Sequence, residues 1–250
     1  MLNNTNSPLI TVVIPSYNRI KFLEQALQSV FSQTLEDYEV VVINDGSSDR
    51  GYFNHDYIDK IHQINLETNQ KNLHGFGPGA IRNFGNIKSN TKYIAFLDDD
   101  DVWMPQKLEK QIEILENSEQ KMICSDAYIG NGLFDINQNY ESFLNDFYFD
   151  KHKKIYFRNK FISYFRNFSY PEVWNLGFLN SFMNLANPII TSSVIIEREI
   201  LDKIGWFRNL PFAADYDCWR GVMQFTDCYF VNEKLIYYDN SHGDGRNYFK

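Results

Sequence analysis

Cysteine is scarce in this sequence: Cys124, Cys218 and Cys228 are widely separated and odd in number. That excludes a disulfide framework, gives no zinc-ligand spacing and suits a reducing cytosol. Positive charge is also in deficit. With 24 Lys and Arg against 32 Asp and Glu the formal net charge is -8, so the basic footprint that nucleic-acid binding requires is missing. No apolar run approaches the length of a membrane span. The opening residues, MLNNTNSPLI, have neither the basic nor the apolar region of a signal peptide. The expectation is a cytoplasmic protein, with membrane contact only peripheral and at the inner face.

What is present is an apolar fraction of 44% spread over 250 residues. That supports a good-sized core and excludes a disordered chain. The first half alternates strand and helix. Leu9 to Ile14, Glu39 to Ile43, Ile61 to Leu66, Tyr93 to Leu97 and Met122 to Ser125 read as strands. Continuous apolar runs of this length mark strands buried on both faces. Ile20 to Phe31 has helical spacing, a short helix is expected near Ala80, and Pro105 suits the first turn of another. The alternation predicts an α/β fold, a mostly parallel, doubly wound sheet flanked by helices.

The second half is less periodic. Residues 131–185 are rich in aromatic residues and Asn and read as helices and loops. A strand is expected over Ile189 to Ile196, helices over Arg198 to Ile204 and Asp215 to Phe225, and small strands over Tyr229 to Val231 and Leu235 to Tyr238. Between Lys151 and Arg166 basic and aromatic residues are mixed. That suits an anionic membrane surface or a lipid-diphosphate acceptor, though a solvated face over a local core explains it as simply.

In open parallel sheets ligands bind beyond the carboxyl ends of the strands. Here those ends run into Pro15-Ser16-Tyr17-Asn18-Arg19, into Asn44-Asp45-Gly46-Ser47-Ser48-Asp49, and into Asp98-Asp99-Asp100-Asp101. Adjacent carboxylates repel by about 1 kcal/mol per pair at 4 Å in water and several times more near a protein surface. A divalent cation would offset that repulsion, and hard oxygen ligands suit Mg²⁺ or Mn²⁺. A helix cap would explain one aspartate of the four. The glycine-rich Gly75-Phe76-Gly77-Pro78-Gly79 lacks the dinucleotide fingerprint spacing and does not open the first β-α unit.

The runs VVIPSYNR, VVINDGSSD, GPGAIRN and YIAFLDDDDVW, in this order over residues 10–103, resemble the family-2 inverting glycosyltransferases of the GT-A fold. The resemblance resumes at NPIITSSVIIERE and AADYDCW. It implies a single GT-A-like domain: residues 1–129 would bind the nucleotide sugar, and 130–250 would supply the catalytic base and a helical and loop region for the acceptor. Tyr17 and Asp45 would hold the base, in a loop shaped by Pro15 and including Asn18. Arg82 would lie near base and phosphates, and Asp98 and Asp99 near the ribose or donor sugar. Asp100 would be the main metal ligand, joined by His242. Asp215 would be the catalytic base. Family members carry Glu-Asp where this chain has Ala214-Asp215, which keeps Asp217 open as the alternative.

The resemblance further implies an enzyme using Mn²⁺ or Mg²⁺. It would move a hexose or N-acetylhexosamine from a nucleotide sugar, a UDP-sugar first of all, to a glycan or a lipid-diphosphate-linked sugar. Polysaccharide, O-antigen or lipopolysaccharide assembly would be its setting. The competing expectations are a metal-dependent nucleotidyltransferase and a nucleotide-sugar-binding protein without turnover.

Overall fold

The computed structural model describes residues 7–75, 77–88, 90–148, 170–181 and 187–241. Strand β1 (Ile10–Ser16) lies between parallel neighbours, β2 (Tyr38–Asn44) and β4 (Tyr93–Phe96). Both of its edges are thereby paired. Val12, Val13 and Ile14 have no exposed surface, and each fully buried side chain of this size stabilises by about 1.5–3 kcal/mol. Helix α1 (Ile20–Val30) connects β1 to β2 and buries Leu23, Ala26, Leu27 and Val30, the stripe that a period of 3.6 places on one face. Strand β3 (His62–Asn65) continues the parallel block beyond β2. Two turn-length helices, α2 (Gln70–His74) and α3 (Pro78–Ile81), precede β4.

Beyond β4 come β5 (Val102–Trp103), α4 (Lys107–Glu116), β6 (Met122–Gly130) and β7 (Glu141–Ser142). The later part adds β8 (Val173–Trp174), α5 (Leu176–Asn180), β9 (Ile195–Glu197), α6 (Arg198–Ile204), α7 (Ala214–Val222) and β10 (Cys228–Asp239). The sheet order is β3-β2-β1-β4-β9-β6-β10-β5, with β7 on β6 and β8 on β10. Strands β1, β2, β3, β4, β6 and β10 share one direction. Strand β9 enters between β4 and β6 antiparallel to both. The α/β expectation therefore holds, in a mixed sheet that both halves of the chain build.

Several local expectations change. Only Ile195–Glu197 of the run Ile189 to Ile196 is strand, because Thr191–Ser193 forms a buried 3-10 turn. Serine hydroxyls stabilise such turns by bonding nearby backbone, and Ser193 Oγ donates to Ile190 O at 2.8 Å. The two short strands expected near the end are one, β10, whose register shifts around Lys234 hide its continuity. Helix α4 starts after Gln106, leaving Pro105 outside it; the Pro105 carbonyl instead accepts the Thr34 N–H at 2.9 Å. Helix α7 starts at Ala214, not Asp215, and follows Ala213 in a left-handed conformation with φ 53°. The stretch Lys151 to Arg166 and the candidate ligand His242 lie outside the described residues. Among the described residues no helix is long and apolar enough to cross a membrane.

Gly46, in the loop after β2, has φ +73°, and a Cβ there would lie 2.5 Å from Asn69 N and 2.6 Å from Thr68 C. Both backbone strain and collision oppose any side chain. Gly46→Ala is expected to lower stability by about 1–3 kcal/mol, read as a shift in the urea unfolding midpoint.

Candidate active site

The carboxyl ends of β1, β2 and β4 bring three polar loops, two of them acid-rich, to one edge of the sheet. They border a cleft of about 460 Å³. Pro15, Tyr17, Asp45, Arg82, Asp98, Asp99 and Asp100 line it, and Asp215 lines it as well. The topology thus gathers residues from chain positions 15 to 215. Asn18 is not among the lining residues. Its Oδ1 accepts the Ser48 N–H at 2.9 Å and its own N–H donates to Ser47 Oγ at 2.9 Å, so it ties the first loop to the second. Asp45 is buried, accepting Asn69 Nδ2 and the Gln70 N–H at 2.9 Å each.

The four consecutive aspartates point in different directions. Asp98, the most open, pairs with Arg82. Arg82 is 4% exposed and its guanidinium carbon sits 5.6 Å from the Phe207 ring centroid. Phe207 is fixed in turn by Asn83, whose amide donates to Phe207 O at 2.8 Å and accepts the Phe207 N–H at 3.1 Å. Asp99 and Asp100 share Arg19: Nη2 lies 2.7 Å from Asp99 Oδ1 and Nη1 lies 2.7 Å from Asp100 Oδ2. Ser16 Oγ donates to Asp99 Oδ2 at 2.5 Å and also meets the Tyr52 hydroxyl at 2.5 Å. Asp101 turns inward, accepting from Ser192 Oγ at 2.5 Å and from the Asp239 N–H at 2.9 Å.

This corrects the argument from repulsion. The sequence reading gave the offsetting charge to a divalent cation. The protein supplies two guanidinium groups and buried hydroxyls of its own. Burial nevertheless dominates the acidities. It pushes Asp99 up to about 8 and Asp100 up to about 6, with Arg19 pulling both back. Asp101 is raised well above the usual carboxylate range, first by burial and then by Asp100 and Asp98.

Among the described residues no three His, Cys, Asp or Glu side chains are grouped to hold a metal ion. Asp98 and Asp100 still present hard oxygen donors on the cleft wall, the chemistry that Mg²⁺ or Mn²⁺ takes. The donor set fits such an ion where an arginine yields its place.

The start of α7 and the segment before it also line the cleft. Asp215 stands in the first turn of α7 and accepts Asn187 Nδ2 at 2.8 Å. Asp217, in the same turn region, is bound by the Arg208 guanidinium, with Nε 2.7 Å from Oδ2, and lines a separate groove. The glycines of the Gly75 to Gly79 loop allow close packing here: a Cβ on Gly77 would lie 2.4 Å from Leu210 O, and one on Gly79 would lie 2.5 Å from Ala214 Cβ. Those contacts set α7 against the strand edge.

A profile described as "Glycosyl transferase family 2" matches residues 11–175. The chain belongs to that family. An uncharacterized glycosyltransferase of Rickettsia typhi is 29% identical over 238 residues, covering 94% of this chain and 65% of that protein. One from Methanocaldococcus jannaschii is 26% identical, covering 88% of this chain and 66% of that protein. Among solved structures, S. aureus TarS 1-349 aligns with TM-score 0.65 and 20% identity over 92% of this chain and 60% of that one. Mannosyltransferase PcManGT from Pyrobaculum calidifontis, in complex with GDP-Man and Mn2+, aligns with TM-score 0.65 and 14% identity over 98% and 60%. The chain shares the fold of these structures and spans less than two thirds of those relatives' lengths.

Residues that sequence reasoning left without a role complete the site: Arg19, Ser16, Tyr52, Asn187, Ser192, Phe207 and Asp239. Arg19 and Ser16 stood in the loop after β1 and could have been weighed as partners for the acids. The others are brought in by long-range contacts that no local pattern announces.

Because Asp99 and Asp100 are raised, the folded state binds protons more firmly than the unfolded chain. Their stabilising contribution is complete below the ordinary carboxylate range and is lost as pH rises through about 8. In metal-free buffer the thermal unfolding midpoint is expected to fall from about pH 5 to about pH 8.5, and Asp99→Asn to flatten that slope.

Proposed function

We propose that this family-2 glycosyltransferase transfers a hexose or N-acetylhexosamine from a nucleotide sugar, a UDP-sugar foremost, to a sugar hydroxyl with inversion. The observation that carries the reading is one cleft lined by the Asp98 to Asp100 carboxylates and by Asp215. In this reading residues 1–129 hold the donor and 130–250 supply the base and the acceptor side. Pro15, Tyr17 and Asp45 border the nucleoside, Asn18 keeps their loops in register, and Arg82 stands at the diphosphate with Asp98 and Asp99 at the ribose or sugar. Nucleotide sugars bound by related structures support the donor class: TarS was solved with UDP-GlcNAc and PcManGT with GDP-Man and Mn2+.

The acceptor oxygen bonds to the anomeric carbon as the bond from that carbon to the diphosphate oxygen breaks. The attacking hydroxyl gives its proton to Asp215, which the Asn187 amide orients. Asp217 is the weaker candidate because Arg208 holds both its oxygens. A divalent cation, Mn²⁺ or Mg²⁺, would be held by Asp100 and would stabilise the charge developing on the nucleoside diphosphate. Holding donor and acceptor in line adds further acceleration. A glycan or lipid-diphosphate-linked sugar, met at the inner face of a membrane, suits the reading as acceptor.

Asp215→Asn is expected to reduce transfer by about 10²–10⁴-fold, measured as UDP release, with UDP-sugar affinity unchanged. Asp217→Asn is expected to retain transfer. The reverse pattern would move the base to Asp217. UDP with Mn²⁺ is expected to raise the unfolding temperature more than UDP alone, and Asp100→Ala to erase that difference. Diphosphate release from a nucleoside triphosphate would instead support a nucleotidyltransferase, and donor binding without turnover on any acceptor would support a binding protein.

A further inference from the structure

We propose that Arg19 is a resident counter-cation that competes with a divalent metal ion for Asp100, so that guanidinium and metal occupy that carboxylate alternately. The inference rests on the metal-assisted reading above. Its ground is the fork at 2.7 Å to Asp99 Oδ1 and 2.7 Å to Asp100 Oδ2. A metal ion on Asp100 would share the carboxylate whose Oδ2 this N–H binds and would meet a like charge beside it.

The two arginines of the cluster are held differently. Arg82 is 4% exposed and rests on Phe207, which Asn83 clamps through two backbone hydrogen bonds. It is built in as a fixed partner of Asp98. Arg19 has a fixed backbone: its N–H donates to the Tyr52 hydroxyl at 2.9 Å, and its carbonyl accepts the Phe22 and Leu23 N–H groups at 3.0 Å each. Its side chain, by contrast, is 19% exposed and lines the cleft. The backbone is the anchored part, and the guanidinium is the part that borders the cleft.

Two consequences follow. Without metal, Arg19 neutralises carboxylates that would otherwise face one another buried, so it stabilises the free protein. With metal, the apparent affinity is reduced by the fraction of molecules in which Arg19 still covers Asp100.

The test compares the wild-type chain with Arg19→Gln, which removes the charge, and Arg19→Lys, which keeps the charge but loses the fork. Mn²⁺ binding is followed by loss of the free-ion electron paramagnetic resonance signal, and unfolding temperature is read with and without Mn²⁺. Arg19→Gln is expected to bind Mn²⁺ about tenfold or more tightly than wild type and to melt lower without metal. Arg19→Lys is expected to fall between on both readouts. Equal or weaker Mn²⁺ binding in both variants overturns the proposal. So does Mn²⁺ binding that survives Asp100→Ala, which would put the metal elsewhere. Mn²⁺ binding to none of these proteins overturns it too and makes Arg19 a permanent counter-ion; UDP release from UDP-sugars without metal then judges the transferase reading by itself.

Discussion

Arg19 lies between the carboxylates of Asp99 and Asp100, 2.7 Å from an oxygen of each. Remove that guanidinium and two buried carboxylates face each other with Arg82 already committed to Asp98. Breaking one partner of a buried pair leaves an uncompensated charge, at a cost of about 3–5 kcal/mol in well-buried cases. The fold is arranged to hold the Arg19 backbone beside these acids. Its backbone opens α1, the Tyr52 hydroxyl fixes its N–H, and Ser16 links Tyr52 to Asp99. The donor side of the cleft is therefore one connected polar network, in which shifting one member exposes charge on the next.

The same logic explains the second half of the chain. Ser192 accepts the Asp98 N–H at 2.9 Å and donates to Asp101 at 2.5 Å, while its carbonyl accepts from Trp103 Nε1 at 2.8 Å. The Asp239 backbone, at the end of β10, closes the other oxygen of Asp101. A turn from positions 191–193 and a strand end from position 239 thus seat the acidic loop of positions 98–101. The insertion of β9 between β4 and β6 makes this seating possible, because it carries that turn to the strand edge. The glycines at 77 and 79 do the corresponding work for α7, letting its first turn, with Asp215, approach the same edge.

The parallel core was legible from composition alone. Continuous apolar runs at β1, β2 and β4, each ending in a polar loop, can be buried on both faces only inside a layered α/β sheet. The converging loops and the family membership followed from the same residues, since motif order over positions 10–103 is written in the chain. The antiparallel entry of β9 was not legible. Ile189 to Ile196 is apolar at both ends around Thr191-Ser192-Ser193, and the local bond from Ser193 Oγ to Ile190 O together with the long-range bond from Ser192 Oγ to Asp101 holds that middle as a 3-10 segment.

For the site, the sequence by itself determined which groups are available: four adjacent aspartates, Asp45, Arg82, Asp215, and the loops that present them. Tertiary structure decided how their charges are met. Whether a carboxylate is paired, buried or open depends on neighbours that lie tens to more than a hundred positions away, such as Arg19 for Asp100, Asn187 for Asp215 and Asp239 for Asp101. Electrostatic interaction falls with distance in space and rises with burial, and neither quantity is set by distance along the chain.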